Sequence, residues 1–135
     1  MTKIKTTYLG ELRTEAVHEQ SGTKIITDAP LDNHGKGESF SPTDLVAAAL
    51  GSCMLTIMGI SAESYGFVLK GTTLEIEKIM SANPRRIAEI KIVLTFPEGN
   101  NYTDQQKRII ESAAKTCPVA NSLGEEVKKT LVFNY

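Results

Sequence analysis

Two cysteines are the residues of this sequence best suited to redox chemistry. Cys53 lies in the apolar stretch SPTDLVAAALGSCMLTIMGI, two positions after Gly51, and Cys117 directly precedes Pro118. The two cysteines are 117 − 53 = 64 positions apart. Because free cysteine is among the most buried residue types, core filling is one interpretation of both. A reactive pair is the other, since a cysteine beside a helix-breaking proline can move, as a resolving thiol must.

Other kinds of cysteine site find little support in the sequence. A cysteine hydrolase needs a histidine base, and the two histidines are His18 on a predicted strand and His34 in a predicted loop, neither in a recognisable motif. No pair of cysteines or histidines has the spacing of zinc ligands. We therefore expect neither a metal nor another cofactor.

Composition is typical of a single domain. The chain has 135 residues, enough for one hydrophobic core, so we expect one domain over 1–135. Its 15 Lys and Arg residues balance 16 Asp and Glu residues without forming blocks, which argues against nucleic acid or an anionic membrane as a partner. The first residues lack an apolar signal region, and the apolar stretch Leu45–Ile60 is shorter than the roughly 20 residues of a bilayer span. We expect a cytoplasmic protein, where a cysteine pair that acts together is redox-active rather than structural.

Two predicted helices carry the cysteines. Ser41 is a good N-cap, Pro42 suits the first helical position and Asp44 stands at the capping-box position, so the first helix begins there and runs to about Tyr65, before Gly66. Because this helix is apolar on nearly every side, we expect it to be covered on several sides, with close packing at Gly51.

The second predicted helix begins at Thr103, with Gln106 in the reciprocal position of a capping box. Pro118 must end or break it, because the proline ring clashes with the carbonyl four residues back. Its apolar face is predicted to contain Ile109, Ile110, Ala113, Ala114 and Cys117.

Strands are predicted on both sides of the first helix. Residues 3–29 contain IKTTYLGEL, RTEAVHEQ and TKIITDA, and the loop 30–40 follows them. TTLEIEKIMSA and RIAEIKIVLTF alternate as a hairpin with one wet face, and TLVFNY is a last strand. The inward-facing residues of the hairpin are predicted to be Leu74, Ile76, Ile90, Ile92 and Leu94. The order of elements predicts an α+β fold, an antiparallel sheet packed with two largely buried helices. One sheet can hardly cover two apolar helices, so we expect a homodimer that shares them.

The segments FSPTDLVAAALGSC and AAKTCPVANSL resemble the two cysteine motifs of the OsmC/Ohr family of organic-hydroperoxide peroxidases. The order of predicted elements extends this resemblance to nearly the whole chain. The resemblance implies an OsmC-like fold in an intertwined homodimer with active sites near the subunit interface. It also implies that Cys53 is the peroxidatic cysteine, that Cys117 is the resolving cysteine, and that Arg13, from the first hairpin, reaches the peroxidatic thiolate.

One position departs from the family pattern. In the peroxidase branches a carboxylate ten residues before the peroxidatic cysteine orients the arginine, and Thr43 stands there in this chain. Asp44 is adjacent, but one residue shifts a side chain by about 100° around a helix. Either Asp44 serves in a shifted geometry, or this branch holds its arginine differently.

Reduction of a hydroperoxide requires a thiolate that attacks one oxygen while the other leaves as an alkoxide. Since Cys53 is predicted in mid-helix, the helix dipole cannot stabilise its charge, and a guanidinium must do so. Under this hypothesis an apolar entrance favours alkyl or fatty-acid hydroperoxides, and its residues are Phe40, Val46, Leu50, Met54 and Ile57. Oxidised Cys53 would condense with Cys117, and a cellular dithiol would restore both thiols. The resemblance suggests a lipoylated protein as this donor.

A second function remains open. An OsmC-like domain could bind a small apolar ligand, or sense redox state, without efficient turnover, and the missing family carboxylate favours this alternative.

Overall fold

The computed structural model describes residues 1–135, which form six strands and three α-helices. The chain falls into two compact units, Met1–Val46 and Ala47–Tyr135. Each unit contains a three-stranded sheet. The architecture is therefore α+β, as the order of predicted elements indicated.

The first unit contains a meander of β1 (Ile4–Gly10), β2 (Arg13–His18) and β3 (Lys24–Asp28). Both pairings are antiparallel, and the register of the second places Arg13 opposite Asp28. The β1–β2 turn has positive φ at Gly10, Glu11 and Leu12. A short 3-10 turn, Leu31–Asn33, follows β3 within the predicted loop.

The long helix α1 spans Pro42–Tyr65, as the capping residues predicted. The backbone N–H of Asp44 donates to Ser41 Oγ at 3.1 Å, and the N–H of Ser41 donates to the Asp44 carboxylate at 2.9 Å. Gly66 follows the helix with a φ of 73°. This reciprocal capping box fixes the start of the helix at Pro42, 53 − 42 = 11 residues before Cys53.

Within the single chain α1 is covered on one face only. The buried positions recur every three to four residues, and they are Ala47, Leu50, Gly51, Met54, Met58 and Ala62. On the other side Ile60 is 56% exposed. The expectation that α1 is covered on several sides is therefore wrong for one chain. By length and composition alone α1 could also cross a membrane, but a core helix passes the same test.

The second unit has a mixed sheet of β4 (Thr73–Ala82), β5 (Arg85–Thr95) and β6 (Lys128–Asn134). β4 and β5 form the expected antiparallel hairpin, whereas β6 pairs with β5 in parallel. The prediction of an antiparallel sheet is thus wrong at this edge. Ile90, Ile92 and Leu94 are fully buried, as predicted, but Ile76 is 38% exposed.

A parallel neighbour requires a long crossover, and two helices provide it. They are α2 (Asp104–Lys115) and α3 (Pro118–Ser122). Thr103 and Gln106 form the predicted capping box of α2. The sequence predicted Cys117 on the apolar face of α2, and this prediction is wrong. Cys117 is the N-cap of α3, and Pro118 lies in the first turn of that helix.

Candidate active site

The two thiols, 64 positions apart in the sequence, are near neighbours in the second unit. Cys53 is half-buried on α1 and packs against the core cluster that contains Cys117, which is fully buried at the start of α3. Both cysteines are reduced. A cysteine pair can form a disulfide only where the two Cα atoms lie within about 7 Å, so proximity is the first requirement for a reactive pair.

Cys117 is held as a protonated thiol. Burial raises the pKa of Cys117, and the neighbouring Cys53 raises it further, while backbone N–H groups of α3 oppose the shift. The N–H of Ala120 donates to Cys117 Sγ at 3.4 Å. The raised pKa of Cys117 comes chiefly from its own burial, and the residue enters any reaction as a thiol.

Local sequence explains how the thiols come together. A Cβ at Gly51 would meet the tips of Leu74 and Ile76, so β4 packs closely against this turn of α1, and a larger residue requires these side chains to move. Pro118 provides the first turn of α3 without an unsatisfied N–H, and its ring keeps Cys117 extended, with φ −67° and ψ 148°. These local features fix the backbone on which each of the two cysteines lies.

Arg13, the arginine that the resemblance proposed, is held by two carboxylates of its own unit. Its Nε and Nη2 donate to the two oxygens of Asp28 at 2.7 and 2.9 Å, and Nη2 also donates to Glu38 at 2.8 Å. The bidentate contact with Arg13 holds the pKa of Asp28 below its usual range, against the opposing effect of burial. The Asp28 side chain is only 2% exposed. Arg13 is therefore fixed and fully charged.

Asp44 is not among the partners of Arg13, and its carboxylate accepts the N–H of Ser41 in the capping box. The sequence left open whether Asp44 serves in a shifted geometry or whether this branch holds its arginine differently, and the contacts of Arg13 with Asp28 and Glu38 favour the second alternative. Sequence reasoning missed both. The strand register could have indicated Asp28, because a turn near Gly22 pairs Arg13 with Asp28, whereas Glu38 lies in a loop without periodicity.

The predicted entrance residues divide into buried and accessible ones. Leu50 is 0% exposed and packs in the core of the second unit, so it cannot line an entrance in this structure. Met54 is also buried, although it borders a cavity with Lys129 and Phe133 on the side of β6. Ile57 lines a groove on the surface of α1. Val46 is half-buried, and Phe40 is exposed in the loop before α1.

Two further features concern metal binding and the position of the loop that carries Glu38. Residues 1–135 contain no group of three or more His, Cys, Asp or Glu side chains arranged to hold a metal ion. The loop that carries Glu38 is also tied to the β1–β2 turn, since Lys36 donates to Glu11 at 2.8 Å. The second unit thus contains two neighbouring thiols, and the first unit contains an arginine fixed by two carboxylates.

The structure is that of an α+β protein with two neighbouring thiols. The family model described as OsmC-like protein matches residues 35–132, which is more than half of the chain. The chain belongs to the OsmC-like protein family, and the resemblance of the cysteine motifs is confirmed. A search of curated proteins found no match.

Solved structures agree with this assignment. The chain is similar to a Psychrobacter arcticus 273-4 protein named for osmotic stress induction and a detoxification response, with 48% identity, a TM-score of 0.93, and coverage of 99% of this chain and 96% of that one. It shares its fold with the organic hydroperoxide resistance protein OsmC of Legionella pneumophila, at 17% identity, a TM-score of 0.80, and coverage of 100% and 97%. An organic hydroperoxide resistance protein of Elizabethkingia anophelis has 17% identity, a TM-score of 0.70, and coverage of 99% and 96%.

Proposed function

We propose that this protein is a thiol peroxidase that reduces organic hydroperoxides to alcohols in defence against oxidative stress. The proximity of Cys53 to Cys117 in the core of the second unit carries the proposal. Membership of a family that includes proteins named for organic hydroperoxide resistance supports it. Cys53 is the peroxidatic residue because it is the more accessible thiol, and Cys117 is the resolving one.

The reaction proceeds in three balanced steps. The Cys53 thiolate attacks the terminal peroxide oxygen, the O–O bond breaks, and the alkoxide leaves and takes up a proton as the alcohol. The Cys53 sulfenic acid then condenses with the Cys117 thiol, which releases water and forms a disulfide. A cellular dithiol, such as that of a lipoylated protein, reduces the disulfide and is itself oxidised to a disulfide.

Arg13 is the residue proposed to stabilise the peroxidatic thiolate and the leaving oxygen. A guanidinium held by two carboxylates is pre-organised, and a fixed positive charge lowers the barrier of a step in which negative charge moves between oxygens. Since Cys53 is the twelfth residue of α1, the helix N-terminus is too distant to replace this charge.

A homodimer is part of the proposal. In Met1–Val46 the buried side chains are polar, namely Thr27, Asp28 and Ser41. Besides the terminal Met1, seven large apolar residues of the same unit are exposed, and they are Ile4, Tyr8, Leu9, Leu12, Ile25, Leu31 and Phe40. A unit with so much exposed apolar surface and no apolar core of its own needs a partner surface, and a second copy of the chain would supply one.

The proposal is tested by mixing the reduced protein with tert-butyl hydroperoxide or with hydrogen peroxide and following the thiols by mass spectrometry. We expect fast loss of two hydrogens, the mass of an internal disulfide, with the organic peroxide. We expect Cys53→Ser to abolish this reaction, and Cys117→Ser to stop at the sulfenic acid or a higher oxide. Full activity of Cys53→Ser would show that the attacking residue is misassigned.

A binding or redox-sensing module without efficient turnover is the second candidate. One observation favours it: Asp28 and Glu38 give the Arg13 cluster an excess of one negative charge, which opposes a nearby thiolate. Under this alternative the thiols survive an excess of tert-butyl hydroperoxide for hours, so the same mass measurement separates the two functions.

A further inference from the structure

A cavity of about 510 Å³ is lined mainly by α2 and β6, with one residue each from α1 and α3, and the proposed chemistry does not use it. Its volume lies within the range of small-molecule sites. Neither cysteine lines it, and its walls combine two ammonium groups and one carboxylate with apolar side chains. The lining residues are Met54, Glu111, Lys115, Ala120, Lys129, Leu131 and Phe133.

The spacing of the lining residues shows that two regular faces form the cavity. Lys129, Leu131 and Phe133 alternate along β6, so their side chains lie on one face of the strand. Glu111 and Lys115 are four residues apart on α2, so they lie one turn apart on one side of the helix. Because all of these elements belong to the second unit, the cavity lies within that unit.

The charges are separated along the cavity. The hydroxyl of Tyr135 donates to the Glu111 carboxylate at 3.1 Å, so Glu111 lies beside the C-terminal end of β6. At the start of β6, Lys129 Nζ donates to two backbone carbonyls at the end of α3, at 3.0 and 3.2 Å. Lys115 is the last residue of α2 and lies toward α3 as well. Both cations are therefore at the α3 end of the cavity, and the carboxylate is at the other end.

The two ammonium groups have no carboxylate partner. Lys129 is held by neutral carbonyls, and one of its three N–H donors is left for another acceptor. Lys115 is exposed and forms no ion pair, although Glu111 stands one turn away on the same helix. Two ammonium groups and one carboxylate give the lining a net charge of one positive unit.

We propose that this cavity binds a small monocarboxylate with an apolar body, with the carboxylate between Lys115 and Lys129. The body of the ligand lies on Leu131 and Phe133, which offer it apolar surface. A single negative charge balances the lining, whereas a second carboxylate at the other end would meet Glu111 and be repelled. The inference goes beyond the proposed peroxidase function, because this ligand is not a peroxide and does not bind at the thiols.

Calorimetric titration of the full chain with three probes of similar shape tests the inference. The probes are 3-phenylpropionate, its neutral amide, and the cation of phenethylamine. We expect saturable binding of the acid with a Kd below about 1 mM, and binding of the amide weaker by about fivefold or more. Lys115→Gln should weaken the acid about fivefold and leave the amide unchanged, and this exposed position makes a folding defect unexpected. Equal binding of acid and amide, or a preference for the cation, overturns the assignment.

Glu111→Gln gives a prediction of opposite sign. Glutamine keeps an acceptor for the hydroxyl of Tyr135 but removes the negative charge, so we expect the acid to bind about twofold more tightly. Lys128→Gln is the matched control, because Lys128 is an exposed cation next to Lys129 that does not line the cavity. It should leave the Kd unchanged. An equal loss in Lys128→Gln and Lys115→Gln would mean that overall charge attracts the acid, and this result overturns the assignment.

Methyl NMR locates the probe. The chain has four methionines, and Met54 is the one that lines the cavity. With ¹³C-methyl methionine we expect 3-phenylpropionate to shift the Met54 signal and to leave that of Met80 in place, and an unmoved Met54 signal contradicts the assignment.

A thiol variant separates this site from the peroxidase function. Cys53→Ser, which should be inactive with peroxide, should bind 3-phenylpropionate with the native Kd because Cys53 does not line the cavity. Loss of binding in Cys53→Ser would place the probe at the thiols and overturn the assignment. If the thiols resist every peroxide but the acid still binds through Lys115, the peroxidase proposal fails and the cavity assignment stands.

Discussion

Arg13 and Asp28 face each other across two neighbouring strands, β2 and β3. Their ion pair fixes the position of the guanidinium in the first unit. Asp28 is buried and meets two nitrogens of Arg13, whereas Glu38 is exposed and meets one. Asp28, a carboxylate at the end of β3, thus holds the arginine, whereas the family resemblance implied a carboxylate on the helix. The substitution of Thr43 for that carboxylate leaves the arginine fixed, because a different strand supplies its partner.

Asp28→Asn is expected to remove part of the acid sensitivity of folding. Because Arg13 lowers the pKa of Asp28 in the folded state, its carboxylate stabilises the fold above the ordinary carboxyl pKa of about 4, and this contribution is lost as the pH falls through the folded value. Urea unfolding of the native protein should therefore give constant stability from pH 7 to about 5 and a decline below about 4. Asp28→Asn should be less stable at pH 7 and decline less. Glu38→Gln is the control for an exposed partner, and identical pH curves for Asp28→Asn and the native protein would contradict the assignment.

Part of the site could be read from single residues and part could not. The expectation that Cys53 and Cys117 act as a pair came from the resemblance of their two motifs to a family, while the arginine partners Asp28 and Glu38 depended on strand register and loop geometry. Leu50 was misjudged for a related reason: an apolar residue near a cysteine can face the core or an entrance, and only the packing decides.

At the scale of elements, α1 was predictable because its boundaries are set by local chemistry, the capping box at Ser41 and the left-handed Gly66. The end of α2 was not predicted correctly. A proline also restricts the residue before it, which avoids helical backbone angles, and Cys117 is accordingly extended. The direction of β6 was equally hidden, because alternation of apolar residues is the same in parallel and antiparallel strands.

Gly51→Val should destabilise the protein by about 1 to 3 kcal/mol, because the added atoms overlap the tips of Leu74 and Ile76 and the core must rearrange. Denaturant unfolding followed by circular dichroism measures this change. Ala49→Val, at an exposed position two residues earlier, introduces the same side chain without the overlap and should cost less than about 1 kcal/mol. Equal losses for the two variants would mean that helix propensity, rather than contact with β4, governs position 51.

At the scale of the whole molecule, apolar surface is distributed in a way that one chain does not satisfy. The face of α1 opposite the core is exposed, with Ile60 at its centre, and the first unit exposes apolar side chains on its strands. Apolar residues on both faces of a helix are typical of an element that is buried by a partner. The sequence indicated such sharing because two apolar helices exceeded what one sheet can cover.

We expect light scattering at micromolar concentration to give about twice the 14.7 kDa mass of one chain. Ile60→Glu places a charge on the exposed face of α1, and it should shift the protein toward the monomer because an unpaired charge cannot be buried in an interface. Val68→Glu adds the same charge at an exposed position after α1 and should leave the mass unchanged. A native protein that remains at the mass of one chain would count against the shared-helix dimer.

The parallel pairing of β6 with β5 has a consequence for the nascent chain. During synthesis Cys53 emerges 64 residues ahead of Cys117, and the final strand, Lys128–Asn134, can pair with β5 only after the crossover that carries Cys117 has been made. If the proposed peroxidase function holds, a chain that stops before Cys117 has an attacking sulfur and no resolving sulfur, and its oxidation would proceed to irreversible oxides.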